Sequence, residues 1–339
     1  MEAFVLKHYG GPEAAQRCEV PKPSPGPNDV LVRVCSAGLN PVDFKIREGK
    51  LRVIQRYRLP TVLGNEFSGI VEECGAGVSR FAPGDRVFAR VPKEAMGAFA
   101  EYACVPEQVV ATMPEALDFD AAAALPLAGL TALQALRDEL HLRPGSQVFI
   151  SGGAGGVGTL AIQIAKWLGA DVITTASPRG RRLVEQLGAD TVIDYTTERI
   201  ADHVQDVDGV FDLVGGDTLE QSFAVVKPGG KVVSIAATPE PDTARKDLGR
   251  GPLLAGLFGL ASFRLRMNAR KHGARYRFLF MHPSGAELSE LAALVDAGRL
   301  HPIIDRVFPF AEIEQAFAYL ETGRAKGKVI VQMHMPNVG

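Results

Sequence analysis

Five glycines fall within eleven residues in the run Val148-Phe-Ile-Ser-Gly-Gly-Ala-Gly-Gly-Val-Gly158, a composition suited to holding a pyrophosphate. Gly153, Gly155 and Gly158 match the spacing G-x-G-x-x-G. Such a turn needs glycine because the backbone must bend sharply and approach phosphate oxygens closely. The helix that follows then offers its unpaired N–H groups to the anion. Gly155, Gly156, Val157 and Gly158 are the expected cofactor-binding residues. An unliganded glycine-rich loop is the plain alternative. A β-branched and aromatic run precedes the glycines, and apolar Val157, Leu160, Ala161, Ile164 and Leu168 follow at helical spacing, which favours the dinucleotide reading.

Dinucleotide sites that select NAD place an acid about twenty residues after the glycines, against the ribose diol. Here the second strand ends Thr174-Thr175-Ala176-Ser177-Pro178-Arg179-Gly180-Arg181-Arg182, with no acid. The Ser177 hydroxyl and the guanidinium groups suit a 2′-phosphate, since arginine binds phosphate through paired donors. NADP(H) is therefore the expected cofactor. Arg179 is the first choice because it sits nearest the strand end. A solvated basic helix start is the alternative, and Arg181 and Arg182 can simply face water.

The elements that must position these groups alternate. Short apolar strands at Gln147–Ser151, Asp171–Thr175, Thr191–Ile193, Gly209–Val214 and Lys231–Ala236, with a sixth at Arg277–Met281, are joined by helical crossovers. That pattern predicts a doubly wound parallel sheet in an α/β chain. Before it, residues 1–118 read as β structure rich in turns, with strands at Val30–Cys35, Gly69–Cys74 and Arg86–Arg90, and Asp118–Leu140 is helical. After it come a strand at Ile303–Phe310, a helix at Ala311–Thr322 and a last strand at Lys328–Gln332, expected to return to the N-terminal domain. The expected domains are thus 1–118 with 300–339, and 119–299.

At 339 residues, 46% hydrophobic and 22% charged, the chain can bury two cores in an ordinary globular protein. A net charge of −2 gives no long-range attraction to nucleic acid. Cys18, Cys35, Cys74 and Cys104 are scattered, which fits a reducing cytoplasm better than a disulfide framework. Met1-Glu-Ala-Phe-Val-Leu-Lys-His reads as a first strand rather than a leader.

Four further segments carry a likeness: Ala37-Gly-Leu-Asn-Pro-Val-Asp43, Gly84-Asp-Arg-Val87 with Gly97-Ala-Phe-Ala-Glu-Tyr102, Leu125-Pro-Leu-Ala-Gly-Leu-Thr-Ala132 and Leu187-Gly-Ala-Asp-Thr-Val-Ile-Asp-Tyr195. In order and spacing the chain resembles the medium-chain dehydrogenase/reductase superfamily, within its zinc-independent quinone and enone oxidoreductases. The resemblance implies a GroES-like β domain, a Rossmann dinucleotide-binding domain, an active-site cleft between them, NAD(P)H chemistry and a homodimer. It also implies that Tyr195 shares the 2′-phosphate site, that Lys45 lies against cofactor and substrate, and that a backbone stretch at Phe278–Met281 follows the nicotinamide carboxamide.

Zinc-dependent members of that superfamily have cysteine at the position of Asn40 and Gly-His-Glu at Gly64-Asn65-Glu66. Neutral amides are poor replacements for thiolate or imidazole, so no metal is expected. Without a Lewis acid to stabilise an alkoxide, the expected acceptors are already activated: quinones, or alkenes conjugated to a carbonyl. Charge then builds on the carbonyl oxygen, and Lys45 is the candidate to stabilise it, with a plain surface lysine as the alternative. Asn40 is a candidate to bond the nicotinamide ribose or the substrate oxygen, or is a turn residue before Pro41; Asp43 reads as a buried structural partner. Thr131 is a candidate contact for the nicotinamide or a helix-capping hydroxyl. Val214 ends a strand at the ligand edge, and Phe280 is a candidate pocket residue or a core aromatic.

Between Asp247 and Glu287 there is no acid, while Arg250, Arg264, Arg266, Arg270, Lys271, Arg275 and Arg277 interleave with Leu253, Leu254, Leu257, Phe258, Leu260 and Phe263. A flap or a subunit contact is favoured there over an anionic membrane surface. The leading expectation is an NADPH-dependent reductase of quinones or enones. A nucleotide-binding sensor that has lost turnover is the rival from another class, and a zinc alcohol dehydrogenase is the third reading.

Overall fold

The strand Asp29–Leu39 organises the first of two units in the computed structural model, which describes residues 1–333. Its alternating Val30, Val32 and Val34 are buried, and it pairs along both edges. Glu66–Cys74 lies on one side, continued by Arg86–Arg90 and Val110–Thr112. On the other side lie Tyr102–Pro106 and Lys328–Gln332, the latter continued by Ile304–Pro309. The expected return of the C-terminal segment is therefore seen, with Val331 opposite Ala37. A second, three-stranded sheet joins Ala15–Glu19, Glu2–Leu6 and Thr61–Val62. Phe317 fills the core here, its ring 5.4 Å from Phe4 and edge-on to Phe99 at 5.8 Å.

The second unit holds six parallel strands: β1 (Gln147–Ile150), β2 (Asp171–Ala176), β3 (Thr191–Asp194), β4 (Val207–Asp212), β5 (Val226–Ser234) and β6 (Arg275–Phe278). Their order is β3-β2-β1-β4-β5-β6. This is the doubly wound arrangement, with a topological switch beside β1. Val148, Phe149 and Ile150 are buried on both faces, as a central parallel strand must be.

Among the described residues the units are Met1–Leu130 with His282–Met333, and Thr131–Met281. Both boundaries differ from the expected 118 and 300. The helix Gly285–Asp296 packs on Val110–Thr112, and Gly285 lies so close to the Val110 and Gln108 carbonyls that a Cβ would strike them. Helical periodicity alone does not say which sheet a helix covers. The helical stretch 118–140 is also broken: Phe119–Ala123 ends before Pro126, whose ring opens a new helix, Pro126–Leu133.

Candidate active site

The glycine run follows β1. Gly152 takes a φ of +70°, open to glycine and strained for other residues, and its N–H donates to Thr175 Oγ1 at 2.8 Å. A Cβ on Gly158 would collide with the Gly152 carbonyl, whereas one on Gly155 would meet only that carbonyl, at 3.5 Å. The turn is therefore tightly packed on its inner side and open at Gly155. Helix α1 of this unit's ligand edge, Gly156–Trp167, starts there with Gly155 as its N-cap, so Gly156, Val157 and Gly158 form its first turn. Their N–H groups have no carbonyl one turn earlier to bond, which suits an anion.

Ala176 at the end of β2 pairs with Asp194 at the end of β3. Ser177 and Tyr195 thus leave the sheet side by side, and Tyr195 is 57% exposed. Ser177 stands at the N-cap position of helix α2 (Pro178–Gln186), which carries the arginines, and its hydroxyl makes no capping bond. Arg181 lies 3.7 Å from both Glu185 and Glu198, so its charge is engaged. Arg179 is exposed and has no ion pair among the described residues. The last residues of β2 itself, Thr174-Thr175-Ala176, carry no acid of the kind that binds a ribose diol. These residues fit a phosphorylated dinucleotide.

Asp212, which sequence reasoning passed over, ties this edge together. It is fully buried and accepts from Ser151 Oγ at 3.0 Å, Ser234 Oγ at 2.7 Å and the Val214 N–H at 3.2 Å. The Gly215 N–H donates to both its oxygens, at 3.0 and 3.1 Å. One carboxylate therefore fixes the residue before the glycine run, the end of β5 and the turn after β4. An acid at the end of an apolar strand was the available signal. Val214 lies just beyond the strand end rather than in it, exposed, with its side chain beside Gly152. Phe280 is half-buried past the end of β6, a strand that stops at Phe278 rather than the expected Met281, and its N–H donates to Asp247 Oδ2 at 2.9 Å. Asp247 is in turn paired with the buried Arg277.

In the first unit, helix α3 (Pro41–Arg47) carries Asn40 at its N-cap and Lys45 in its last turn. Lys45 is half-buried, and its ammonium has no hydrogen bond or ion pair among the described residues. Burial, and then the nearby Lys50 ammonium, hold it below the ordinary lysine range. Asp43 is buried, as expected, and accepts from the Asn40 N–H at 2.7 Å and from Asn65 Nδ2 at 2.6 Å. Burial pushes its carboxyl up to about 7 in spite of those two bonds.

Two candidates are buried. Asn40 is 4% exposed and its amide bonds inside the protein: Nδ2 donates to Glu66 Oε1 and the Gly38 carbonyl, and Oδ1 accepts from Lys328. These bonds suit the reading of Asn40 as the turn residue that starts the helix. Thr131 is buried inside Pro126–Leu133 and does not cap that helix. The residues thus gather in two sets, Gly155–Gly158, Ser177, Arg179, Tyr195 and Val214 in one unit, Asn40 and Lys45 in the other.

The chain matches the description "Alcohol dehydrogenase GroES-like domain" over residues 26–115 and "Zinc-binding dehydrogenase" over residues 187–331. It is 36% identical over 328 residues to the NAD(P)H oxidoreductase RTN4IP1, mitochondrial, of Danio rerio, covering 91% of this chain and 84% of that protein. Against the NADPH-dependent alkenal/one oxidoreductase, chloroplastic, of Arabidopsis thaliana, identity is 35% over 98% of this chain and 79% of the relative. The solved quinone oxidoreductase from Coxiella burnetii superposes with a TM-score of 0.84 at 35% identity, covering 98% and 99% of the two chains. The chain belongs to the medium-chain dehydrogenase/reductase superfamily, in its quinone and enone oxidoreductase subgroup.

A catalytic metal, common elsewhere in this superfamily, does not fit the residues present. An ammonium, Lys328 Nζ, stands 2.6 Å from Glu66 Oε1 and 2.5 Å from Asn40 Oδ1, and a cation there opposes a second one. Asn40 and Asn65 spend their amides on neighbours and offer no thiolate or imidazole.

Proposed function

We propose that this member of the superfamily is an NADPH-dependent reductase of quinones or α,β-unsaturated carbonyl compounds that uses neither metal nor flavin. The observation that carries the reading is the Lys328–Glu66–Asn40 cluster, which puts a fixed ammonium where a Lewis acid would need open donors. An acceptor must then be electron-poor before it binds. Bound NADPH supplies the hydride. Gly155–Gly158 hold the pyrophosphate at a helix N-terminus, and Ser177, Arg179 and Tyr195 hold the 2′-phosphate. Lys45 offers its ammonium to the carbonyl oxygen as negative charge develops there. The relatives' names, oxidoreductases of NAD(P)H and of alkenals and enones, support this assignment.

The test is consumption of NADPH, followed by its absorbance, over a panel of quinones and enones, with NADH and chelator controls. Turnover that prefers NADPH and survives chelation is expected. Tight NADPH binding with no turnover would point to a sensor, and chelator-sensitive oxidation of simple alcohols to a zinc dehydrogenase.

The protein is proposed to work as a homodimer in the cytoplasm. Support for the dimer comes from the edge strand β6, unpaired on one side, and from the apolar face of the helix Pro252–Ala261, where Leu253 is 89% exposed. The free thiols of all four cysteines support a reducing compartment, which cell fractionation would check.

A further inference from the structure

Lysine is seldom buried, because its ammonium gives up hydration that only close acceptors replace. Lys328 is 3% exposed. It opens the strand Lys328–Gln332, directly after Gly327, whose φ of +99° turns the chain. Its Nζ has three protons and meets three acceptors: Asn40 Oδ1 at 2.5 Å, Glu66 Oε1 at 2.6 Å and the Leu39 carbonyl at 3.2 Å. Asn40 Nδ2 in turn donates to the same Glu66 oxygen at 2.6 Å and to the Gly38 carbonyl at 3.3 Å. The other Glu66 oxygen accepts the Leu127 N–H at 2.6 Å. Gly38 leaves room for that carboxylate, since a Cβ there would strike it.

The two ends of an asparagine amide are alike in size, so partners alone fix which way it points. With an ammonium at one end and a carboxylate at the other, only one orientation pairs every donor with an acceptor. Asn40 also starts the helix Pro41–Arg47, and its N–H is held by Asp43, which Asn65 holds from the other side. The second buried cation of this cluster, Arg90, donates instead to the Val91 carbonyl.

We infer that Lys328 is a positioning residue for the reduction: its buried ammonium locks the Asn40 amide against Glu66 and so fixes the helix that presents Lys45. One cation joins three distant chain segments, a task a metal ion performs elsewhere, while supplying no Lewis acidity. The inference rests on the reductase reading above.

Two variants test it, Lys328→Met and the double variant Lys328→Met/Glu66→Gln. Both are assayed below their melting temperatures, with active sites counted by NADPH titration. The single variant is expected to lose at least tenfold in kcat with KM for NADPH within twofold, and to melt lower. The double variant removes the stranded carboxylate charge, so its melting temperature should recover while kcat stays low, because nothing orients Asn40. Wild-type kcat in Lys328→Met, or kcat recovering together with melting temperature in the double variant, would overturn the inference. Should the single variant fail to fold, the kcat of the double variant decides alone. A wild-type enzyme inactive on every quinone and enone overturns the functional reading and this inference with it. An active wild type with a fast Lys328→Met variant overturns this inference alone.

Discussion

Arg179 and Arg181 stand two residues apart on one helix, yet the carboxylates of Glu185 and Glu198 engage only Arg181. Arg179→Ala should therefore weaken NADPH by about 1.5–3 kcal/mol, the range for a hydrogen bond to a charged group, while leaving NADH nearly unchanged. Dissociation constants for both nucleotides would show it, and Arg181→Ala should change the preference less. For Lys45, removal of the ammonium in Lys45→Met should lower kcat about 100-fold, the scale for losing one donor to a developing oxyanion. The sign of its pH dependence follows from burial. Lys45 acts only while protonated and sits below the ordinary lysine range, so activity should fall as pH rises through that lowered value. Lys45→Arg keeps its charge at every accessible pH and should move that alkaline limb upward; an unmoved limb would assign it to another group. The glycine turn between strand and helix was legible because a short motif marks it. Lys328 was not, because its partner Glu66 lies 262 residues away and a lone lysine at a strand start carries no local signal.

The six strands of the nucleotide unit could be read from apolar runs and turn residues, since a central parallel strand must be apolar on both faces. Their ends were less legible. Val214 and Phe280 lie beyond their strands because Asp212 and Asp247 capture the backbone N–H groups there, and side-chain capture of backbone leaves no periodic trace. Asp212→Ala would leave Ser151, Ser234 and the Gly215 N–H without their buried acceptor. A loss of about 3 kcal/mol or more in unfolding free energy is expected in denaturant titration, with weaker NADPH binding at the loosened glycine run.

At the scale of the whole molecule, the sequence pattern shows that the chain splits between two units, but 119–130 and 282–299 pack with the first rather than the second. Amphipathic spacing reveals that a helix has a buried face and is silent on which sheet receives it. The exposed Leu253, Leu257, Leu260 and Phe263 make one prediction about assembly. Light scattering should give about twice the 36.3 kDa chain mass, and Leu257→Glu with Leu260→Glu should halve it. Co-sedimentation with anionic vesicles at low salt is expected to be negligible; strong binding would reassign that face and its flanking Arg264, Arg266 and Arg270 to lipid.

Asp212 has one more implication. The Gly215 amide donates to both of its oxygens and is joined through Ser151 to the glycine run proposed to hold the pyrophosphate. Deuterium uptake at that amide should accordingly slow when NADPH is captured. Such slowing would report cofactor occupancy by mass spectrometry with no acceptor present; unchanged uptake would show that the link carries no coupling.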